Sequence, residues 1–334
     1  MKAARLLTRL LADPTRIAEV RDWTGLICTA RAESLLGSLA FRLAGAELPP
    51  QVAAILEDAR QDAAYARTQA LWEAEMAKRA LGDIPLILLK GTAYAAANLP
   101  AGEGRSIGDL DILVPRARLD AAEAALLAAG WEWVKEDAYD HLYYRTWMHE
   151  LPPLIHRDRD RMIDVHHTIL PPTARPTPDA AALVNDTIAL PNGMRILCPE
   201  DMILHSVAHL FADGDLAGGL RNLWDIDRLL RGFAAADGFW PCLAAQADRH
   251  QLRPHAARAL RLARRLYESP VDQALAGRAH ATDALYVHRL LARDGWGRER
   301  RPFTRLGFYV RSHWLRMPPL MLARHLVTKA RKPR

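Results

Sequence analysis

The sequence predicts an α+β fold in which a small mixed sheet is flanked by N-terminal helices and a C-terminal helical domain. Apolar residues recur at helical spacing before Leu81 and again after Pro199, and shorter runs typical of strands lie between these regions. The runs follow the order strand, helix, strand, helix and then a short antiparallel set. This order differs from the regular alternation that builds a doubly wound parallel sheet.

The chain begins with a helical region, residues 1–82. Its Ala-rich stretches carry apolar residues at helical spacing and end at Gly82, a residue type that commonly closes a helix. The short continuous apolar run at 84–89 then predicts a strand that is buried on both faces. Gly91 breaks this strand, and helical composition resumes at Thr92.

A second strand is predicted over residues 106–115, where polar and apolar residues alternate. The alternation places Asp109 and Asp111 on one face of the strand, with apolar neighbours on the other. Pro115 ends the strand. Residues 116–130 then have the amphipathic pattern of a helix that stops at a glycine.

Strand-like composition continues in three further segments, residues 142–148, 152–157 and 162–170, and the polar run at 158–161 suits a hairpin turn. A Pro-rich linker over 171–178 precedes the return of helical periodicity. The chain is therefore divided into four predicted regions: N-terminal helices 1–82, an α/β core 83–172, a C-terminal helical domain 173–297 and a basic amphipathic tail 298–334.

The net charge of +6 is unevenly distributed along the chain. Residues 298–334 contain eleven Lys or Arg and one acid, a charge of +10, which leaves −4 for residues 1–297. The basic excess is therefore weak evidence for nucleic-acid binding by the whole protein. The tail mixes aromatic residues with arginines, so it could pack on the protein itself, lie on an anionic membrane surface, or contact RNA or another polyanion.

The three cysteines form no CxxC pair and predict neither a disulfide framework nor a cysteine zinc site, so a cytoplasmic location is expected. No stretch approaches eighteen apolar residues, so no transmembrane segment is expected.

Three carboxylates carry the chemical prediction. Two like charges on one strand face, Asp109 and Asp111, repel each other unless a cation neutralises them. Asp164 lies on a later predicted strand that could sit beside the first pair. Carboxylates completed by water and phosphate oxygens are typical Mg²⁺ ligands, and a pair of such ions can neutralise a leaving pyrophosphate. The pattern therefore predicts a metal-dependent nucleotide site.

Four residues that precede Asp109 in the sequence are candidates for binding phosphate. Gly91 allows close backbone approach at a predicted helix start, and Thr92 offers a hydroxyl. Lys90 is a possible counter-charge, and Arg105 could add a bidentate contact.

These motifs together resemble a poorly characterised bacterial nucleotidyltransferase family of the DNA polymerase beta superfamily, over roughly residues 30–290, with the specific part at 86–168. The resemblance implies that Gly91 and Thr92 hold a triphosphate. It also implies that Asp109 and Asp111 hold two magnesium ions and that Asp164 completes the metal site and activates the acceptor. The chain departs from the superfamily pattern in having Thr92 in place of Gly or Ser, and in the sixteen residues between Thr92 and Asp109.

Several histidines lie near these motifs in sequence. His166 shares a strand face with Asp164 and is a candidate for contact with the acceptor. His205 and His209 are spaced i, i+4 on one helix, where packing is the favoured role, and His209 is also a candidate on the acceptor side.

Asp225 and Asp227 fall on a predicted helix, where their side chains diverge and cannot form a second Asp-x-Asp pair. An ion pair of one of them with Arg221 or Arg228 is expected instead.

The leading functional prediction is Mg²⁺-dependent transfer of a nucleoside monophosphate from an NTP to a protein, peptide, small molecule or RNA end, with release of pyrophosphate. A second interpretation takes Asp-x-Asp as the metal motif of a glycosyltransferase that uses a sugar nucleotide, and leaves Lys90, Gly91 and Thr92 without a task. A third is a catalytically inert nucleotide-binding regulatory module.

Overall fold

The computed structural model describes residues 1–135, 137–316, 318 and 322. The helices in chain order are α1 (Lys2–Ala12), α2 (Trp23–Ala32), α3 (Leu36–Arg42), α4 (Pro50–Leu81), α5 (Lys90–Ala96), α6 (Leu119–Ala128), α7 (Ala138–Trp147), α8 (Ala180–Asn185), α9 (Pro199–Val207), α10 (Gly219–Phe233), α11 (Phe239–Arg249), α12 (Arg253–Tyr267), α13 (Gln273–Ala276), α14 (Asp283–Leu290) and α15 (Pro302–Arg316). The strands are β1 (Ile87–Leu88), β2 (Leu110–Leu113), β3 (Trp131–Trp133), β4 (Leu154–His156), β5 (Met162–His166), β6 (Ile188–Ala189) and β7 (Arg195–Ile196).

The strands form one mixed sheet in the order β3-β4-β5-β2-β1-β7-β6. The pairs β2 with β5 and β1 with β7 are parallel, and the other neighbours are antiparallel. This mixed sheet with helices on either side in sequence confirms the predicted α+β class. The register of β2 and β5 aligns Asp111 with Asp164, so the sheet itself brings together two acids that are distant in sequence.

The apolar and alternating patterns predicted β1, β2, β4 and β5 correctly, although each strand is shorter than its pattern. Helix α4 ends where expected, and Gly82 follows it with a φ of +59°, a region that L-residues with side chains rarely adopt. Helix α9 begins at Pro199, as the sequence predicted.

The strand predicted over residues 142–148 is wrong, because these residues lie mainly in helix α7. The segment is rich in aromatic residues, which favour strands by composition. Their spacing of four is helical, however, and it brings Tyr143 into ring contact with Tyr139 at 6.4 Å and with Trp147 at 5.8 Å. The helical spacing of these aromatic residues was therefore a better guide to the secondary structure than their preference for strands.

The C-terminal helices and the sheet share one hydrophobic core, whose buried residues run from Ala4 to Phe308. Helix α9 is followed directly by a π-helical turn over Ala208–Asp213. The small strands β6 and β7 were not predicted, and β7 extends the sheet by pairing with β1. The four region boundaries remain a prediction.

The described part of the tail packs on the body of the protein through α15. The Phe308 ring meets Tyr286 edge-on at 5.0 Å, and Arg311 Nη2 donates a 2.9 Å hydrogen bond to the carbonyl of Phe211. Phe303 is 89% exposed on the same helix. Residues 317, 319–321 and 323–334 lie outside the described residues, so contact of the tail with an anionic surface remains a prediction. Across the described residues, no helix combines the length and apolar character needed to cross a bilayer.

Candidate active site

Three carboxylates converge where β2 and β5 pair. Asp109, Asp111 and Asp164 each offer an oxygen within 4.8 Å of those of the other two. Asp111 and Asp164 are side by side on parallel strands, and Asp109 stands just before β2 with its side chain exposed. The structure therefore brings together the three acids that the sequence singled out.

Asp111 is fixed by two partners that contact the same oxygen. Lys90 Nζ lies 2.5 Å from Asp111 Oδ1, and His166 Nε2 lies 3.1 Å from it. Burial alone would raise the pKa of Asp111, but the charge of Lys90 and the hydrogen bonds from His166 and Lys90 outweigh it and hold the pKa far below its usual range. Because both contacts use Oδ1, the second oxygen, Oδ2, is the atom that could face a cation.

Asp164 has the opposite electrostatic environment. Burial, followed by repulsion from Asp111 and Glu150, raises the pKa of Asp164 to about 7. Its Oδ1 is buried and has no hydrogen-bond partner among the described residues. An unpaired buried carboxylate oxygen is costly unless a cation or a proton satisfies it.

The carboxylate cluster fits a divalent cation. All its ligand atoms are oxygens, which Mg²⁺ prefers. The Asp164 oxygen that has no partner among the described residues is available to bind the ion. Five buried polar atoms around this site have no partner among the described residues: Thr92 Oγ1, Arg105 Nε, His149 Nδ1, Asp164 Oδ1 and His166 Nδ1. Such atoms are rare in folded proteins and favour a ligand-binding role for the region.

The phosphate candidates lie at the start of helix α5, next to the acids. Lys90 begins the helix with a φ of +46°, and its ammonium points to Asp111. Burial would lower the pKa of Lys90, but Asp111, with support from Asp109 and Asp164, raises it, so the side chain stays charged. The hydroxyl of Thr92 is buried and unpaired within the described part of the chain. This placement keeps Lys90 and Thr92 as candidates for binding a substrate.

Arg105 reaches the same region, but an acid already pairs with it. Its Nη1 contacts Asp225 Oδ2, and the side chain is only 15% exposed. A phosphate contact would require Arg105 to leave Asp225, so that role remains a prediction. Gly91 provides the space for this arginine, because a Cβ on Gly91 would lie 2.5 Å from Arg105 Nε.

We therefore expect Gly91→Ala to destabilise the protein by about 1–3 kcal/mol, because the added methyl group must displace a buried, paired arginine. This strain exceeds the gain in helix propensity that alanine brings, which is at most about 1 kcal/mol. Urea unfolding measures the difference. Gly108→Ala is the matched control, since a Cβ there meets nothing within 4 Å. Equal stability of the two variants would contradict the packing role of Gly91.

A small cavity of about 30 Å³ adjoins Lys90 on the side of the C-terminal helices. The residues that line it are Lys90, Tyr94, Arg105, His205, Ser206, His209, Asn222 and Asp225. The structure thus brings His209 to the same region as the phosphate candidates. Burial and the nearby Lys90 lower the pKa of His205 well below its usual value, so this ring is neutral, whereas His209 is exposed.

His166 is buried beside Asp111, and its side chain is 2% exposed. This position supports a role in fixing Asp111, while contact with an acceptor remains a prediction. The sequence analysis missed two neighbours of this ring, His149 and Glu150. They follow helix α7, and Glu150 forms an isolated bridge with His166. The only sequence signal for them was an adjacent pair of titratable residues.

The ion pair expected of Asp225 or Asp227 is confirmed, and both acids form one. Arg221 Nη1 lies 3.2 Å from Asp225 Oδ1, and Arg228 Nη2 lies 2.5 Å from Asp227 Oδ2. Both pairs lie within α10, and neither acid belongs to a possible metal-binding group among the described residues.

Another cavity, of about 620 Å³, lies between α14 and α15. Its lining contains Arg258, Arg311 and aromatic rings, but no carboxylate. We therefore assign the candidate active site to the acids of β2 and β5.

Comparison with known proteins agrees with this geometry. A family model described as an uncharacterised nucleotidyltransferase matches residues 19–268, which include the whole sheet and most of the helices around the acids. No curated protein matches the chain.

Proposed function

The chain belongs to this family of uncharacterised nucleotidyltransferases, and from that premise we propose that it transfers a nucleoside monophosphate from an NTP to an acceptor with release of pyrophosphate. The observation that carries the proposal is the convergence of Asp109, Asp111 and Asp164 within 4.8 Å, with one oxygen of Asp164 unpaired among the described residues.

Asp109, Asp111 and Asp164 would hold the metal, for which we propose two Mg²⁺ ions. Bound magnesium supplies charge neutralisation at the phosphates and lowers the barrier to attack at phosphorus. Lys90 and His166 hold Asp111 in one orientation, since both contact its Oδ1. A carboxylate fixed in this way presents its other oxygen without reorganisation when the substrate arrives.

In the proposed reaction, an acceptor oxygen forms a bond to the α-phosphorus of the NTP. The bond from that phosphorus to the oxygen bridging to the β-phosphate breaks, and pyrophosphate leaves with the bonding electrons. Asp164 takes the proton of the acceptor. We propose Lys90, Gly91 and Thr92 for the triphosphate, and His166 and His209 on the acceptor side. Arg105 would stabilise this arrangement through Asp225 or, once released, contact a phosphate.

The acceptor is proposed to be a protein or peptide, a small molecule or an RNA end. We propose a cytoplasmic location, which fits three cysteines that are all free. An anionic partner for the tail is proposed on charge alone, since residues 298–334 carry +10.

The nucleotide preference tests this proposal directly. We expect calorimetry to show Mg²⁺-dependent binding of at least one non-hydrolysable NTP among the four bases, with UDP- and GDP-sugars binding at least ~10-fold more weakly. The reason is that we propose the carboxylates for the metal, and Lys90 and Thr92 for the triphosphate. The Asp109→Asn variant is the control, and it should lose the magnesium dependence.

Preferential binding of a sugar nucleotide would contradict the proposal and favour the glycosyltransferase. NTP binding that is equal with magnesium and with a chelator would favour the inert module.

A further inference from the structure

Two histidines and a glutamate form a second cluster next to the carboxylates. His149 and Glu150 lie between α7 and β4, and His166 is the last residue of β5. Each residue offers one ligand atom, and these three atoms all lie within 4.8 Å of one another. The cluster contains nitrogen donors, in contrast to the all-oxygen set of Asp109, Asp111 and Asp164.

The spacing within this cluster suits a shared ion better than direct hydrogen bonds. Glu150 Oε2 lies 3.5 Å from His166 Nδ1 and 3.9 Å from His149 Nε2. In a tetrahedral zinc site with bonds of about 2.0–2.1 Å, ligand atoms are about 3.3 Å apart. The observed separations are close to that value and at or beyond the limit for a hydrogen bond.

The Nδ1 atom of His166 is a candidate ligand for a cation. Its Nε2 lies 3.1 Å from Asp111 Oδ1, and because a carboxylate only accepts, the proton is on Nε2. On the other side of the ring, Nδ1 faces the Glu150 carboxylate at 3.5 Å. Nδ1 is buried and has no hydrogen-bond partner among the described residues. A divalent ion on this side of the ring would satisfy Nδ1 and be attracted by the Glu150 carboxylate.

A histidine that donates one N–H to a carboxylate and presents its other nitrogen is the usual form of a zinc-bound histidine. Asp111 is the carboxylate that accepts the N–H of His166 in this way. We propose that His149, Glu150 and His166 bind a zinc-type divalent ion, distinct from the magnesium of the three aspartates. Mg²⁺ prefers oxygen ligands, whereas two imidazoles and a carboxylate suit Zn²⁺. His166 would then bind zinc through Nδ1, and its Nε2 contacts Asp111 of the carboxylate site.

Zinc binding by the full-length protein tests this site without an activity assay. After chelation and dialysis, the wild type is titrated with Zn²⁺ in the presence of excess Mg²⁺. We expect one Zn²⁺ per chain, and visible absorption bands when Co²⁺ replaces Zn²⁺. His149→Ala and Glu150→Gln should each weaken Zn²⁺ binding at least ~100-fold. Glu150→Gln keeps the side-chain volume, so it remains informative if His149→Ala does not fold.

Asp109→Asn is the matched control, because it changes the oxygen site and leaves the histidines intact. It should retain Zn²⁺ binding and lose magnesium-dependent NTP binding. Absence of zinc binding by the wild type would overturn the proposal. Loss of zinc in Asp109→Asn with retention in Glu150→Gln would also overturn it. The inference does not rest on the proposed function, since each site has its own ligand and its own variant.

Discussion

The Asp109→Asn variant is expected to lose nucleotidyl transfer, with kcat/KM lower by about 10³-fold or more. Asp109 is one of three carboxylates that converge within 4.8 Å, and replacing it removes a negative charge without changing the side-chain volume. A metal ion contributes several kcal/mol to the stabilisation of a phosphoryl transition state. Because Asp109 is exposed and precedes β2, the variant should fold and melt like the wild type.

Release of pyrophosphate from the NTP that binds, with magnesium present, measures this effect. Asp120→Asn is the control, since Asp120 is also exposed but lies in the first turn of α6, outside the acidic cluster. Asp111 is less suitable for this test, because its removal would leave the partly buried Lys90 ammonium without its partner. Equal rates for Asp109→Asn and the wild type would show that the acidic cluster is not the reaction centre.

The sequence predicted the acidic cluster because its signals are local. A buried strand produces a continuous apolar run, and a half-buried strand produces alternation, so β1 and β2 could be placed from their own residues. The alternation in β2 also fixed the common face of Asp109 and Asp111. Asp164 required one further step, the pairing of β5 with β2, and the structure has that pairing in parallel register.

Other parts of the site depend on contacts that a local pattern does not contain. Arg105 and Asp225 are far apart in sequence, and their ion pair forms only when α10 packs near the loop before β2. The contact of Glu150 with His166 likewise arises from a single bridge between a connecting segment and β5. Strand β7 has only two residues, too few to show any period. Residue type thus identified the candidate phosphate-binding residues and histidines. Their partners could be identified only from the folded structure.

Asp227→Ala is expected to lower the free energy of unfolding by about 3–5 kcal/mol. Asp227 is 0% exposed, and its two oxygens accept hydrogen bonds from Arg228, Arg231 and Ser269. The alanine leaves these donors buried or partly buried without an acceptor. Since Arg231 also donates to the carbonyl of Tyr267, the change would loosen the contact between α10 and the end of α12.

We expect the contribution of Asp227 to stability to come from its burial. A second ion pair with the same distance between its charged atoms, but on the surface, tests this expectation. Asp248 lies 2.5 Å from Arg253, the same separation as Asp227 from Arg228, but both side chains of that pair are about half exposed. Water screens an exposed pair and can solvate either charge alone, so Asp248→Ala should cost about 0–1 kcal/mol. Urea unfolding of the two variants compares them directly. If both lose the same stability, the distance between charges governs these ion pairs; if Asp227→Ala loses several-fold more, the cost lies in charges left in the protein interior without a partner.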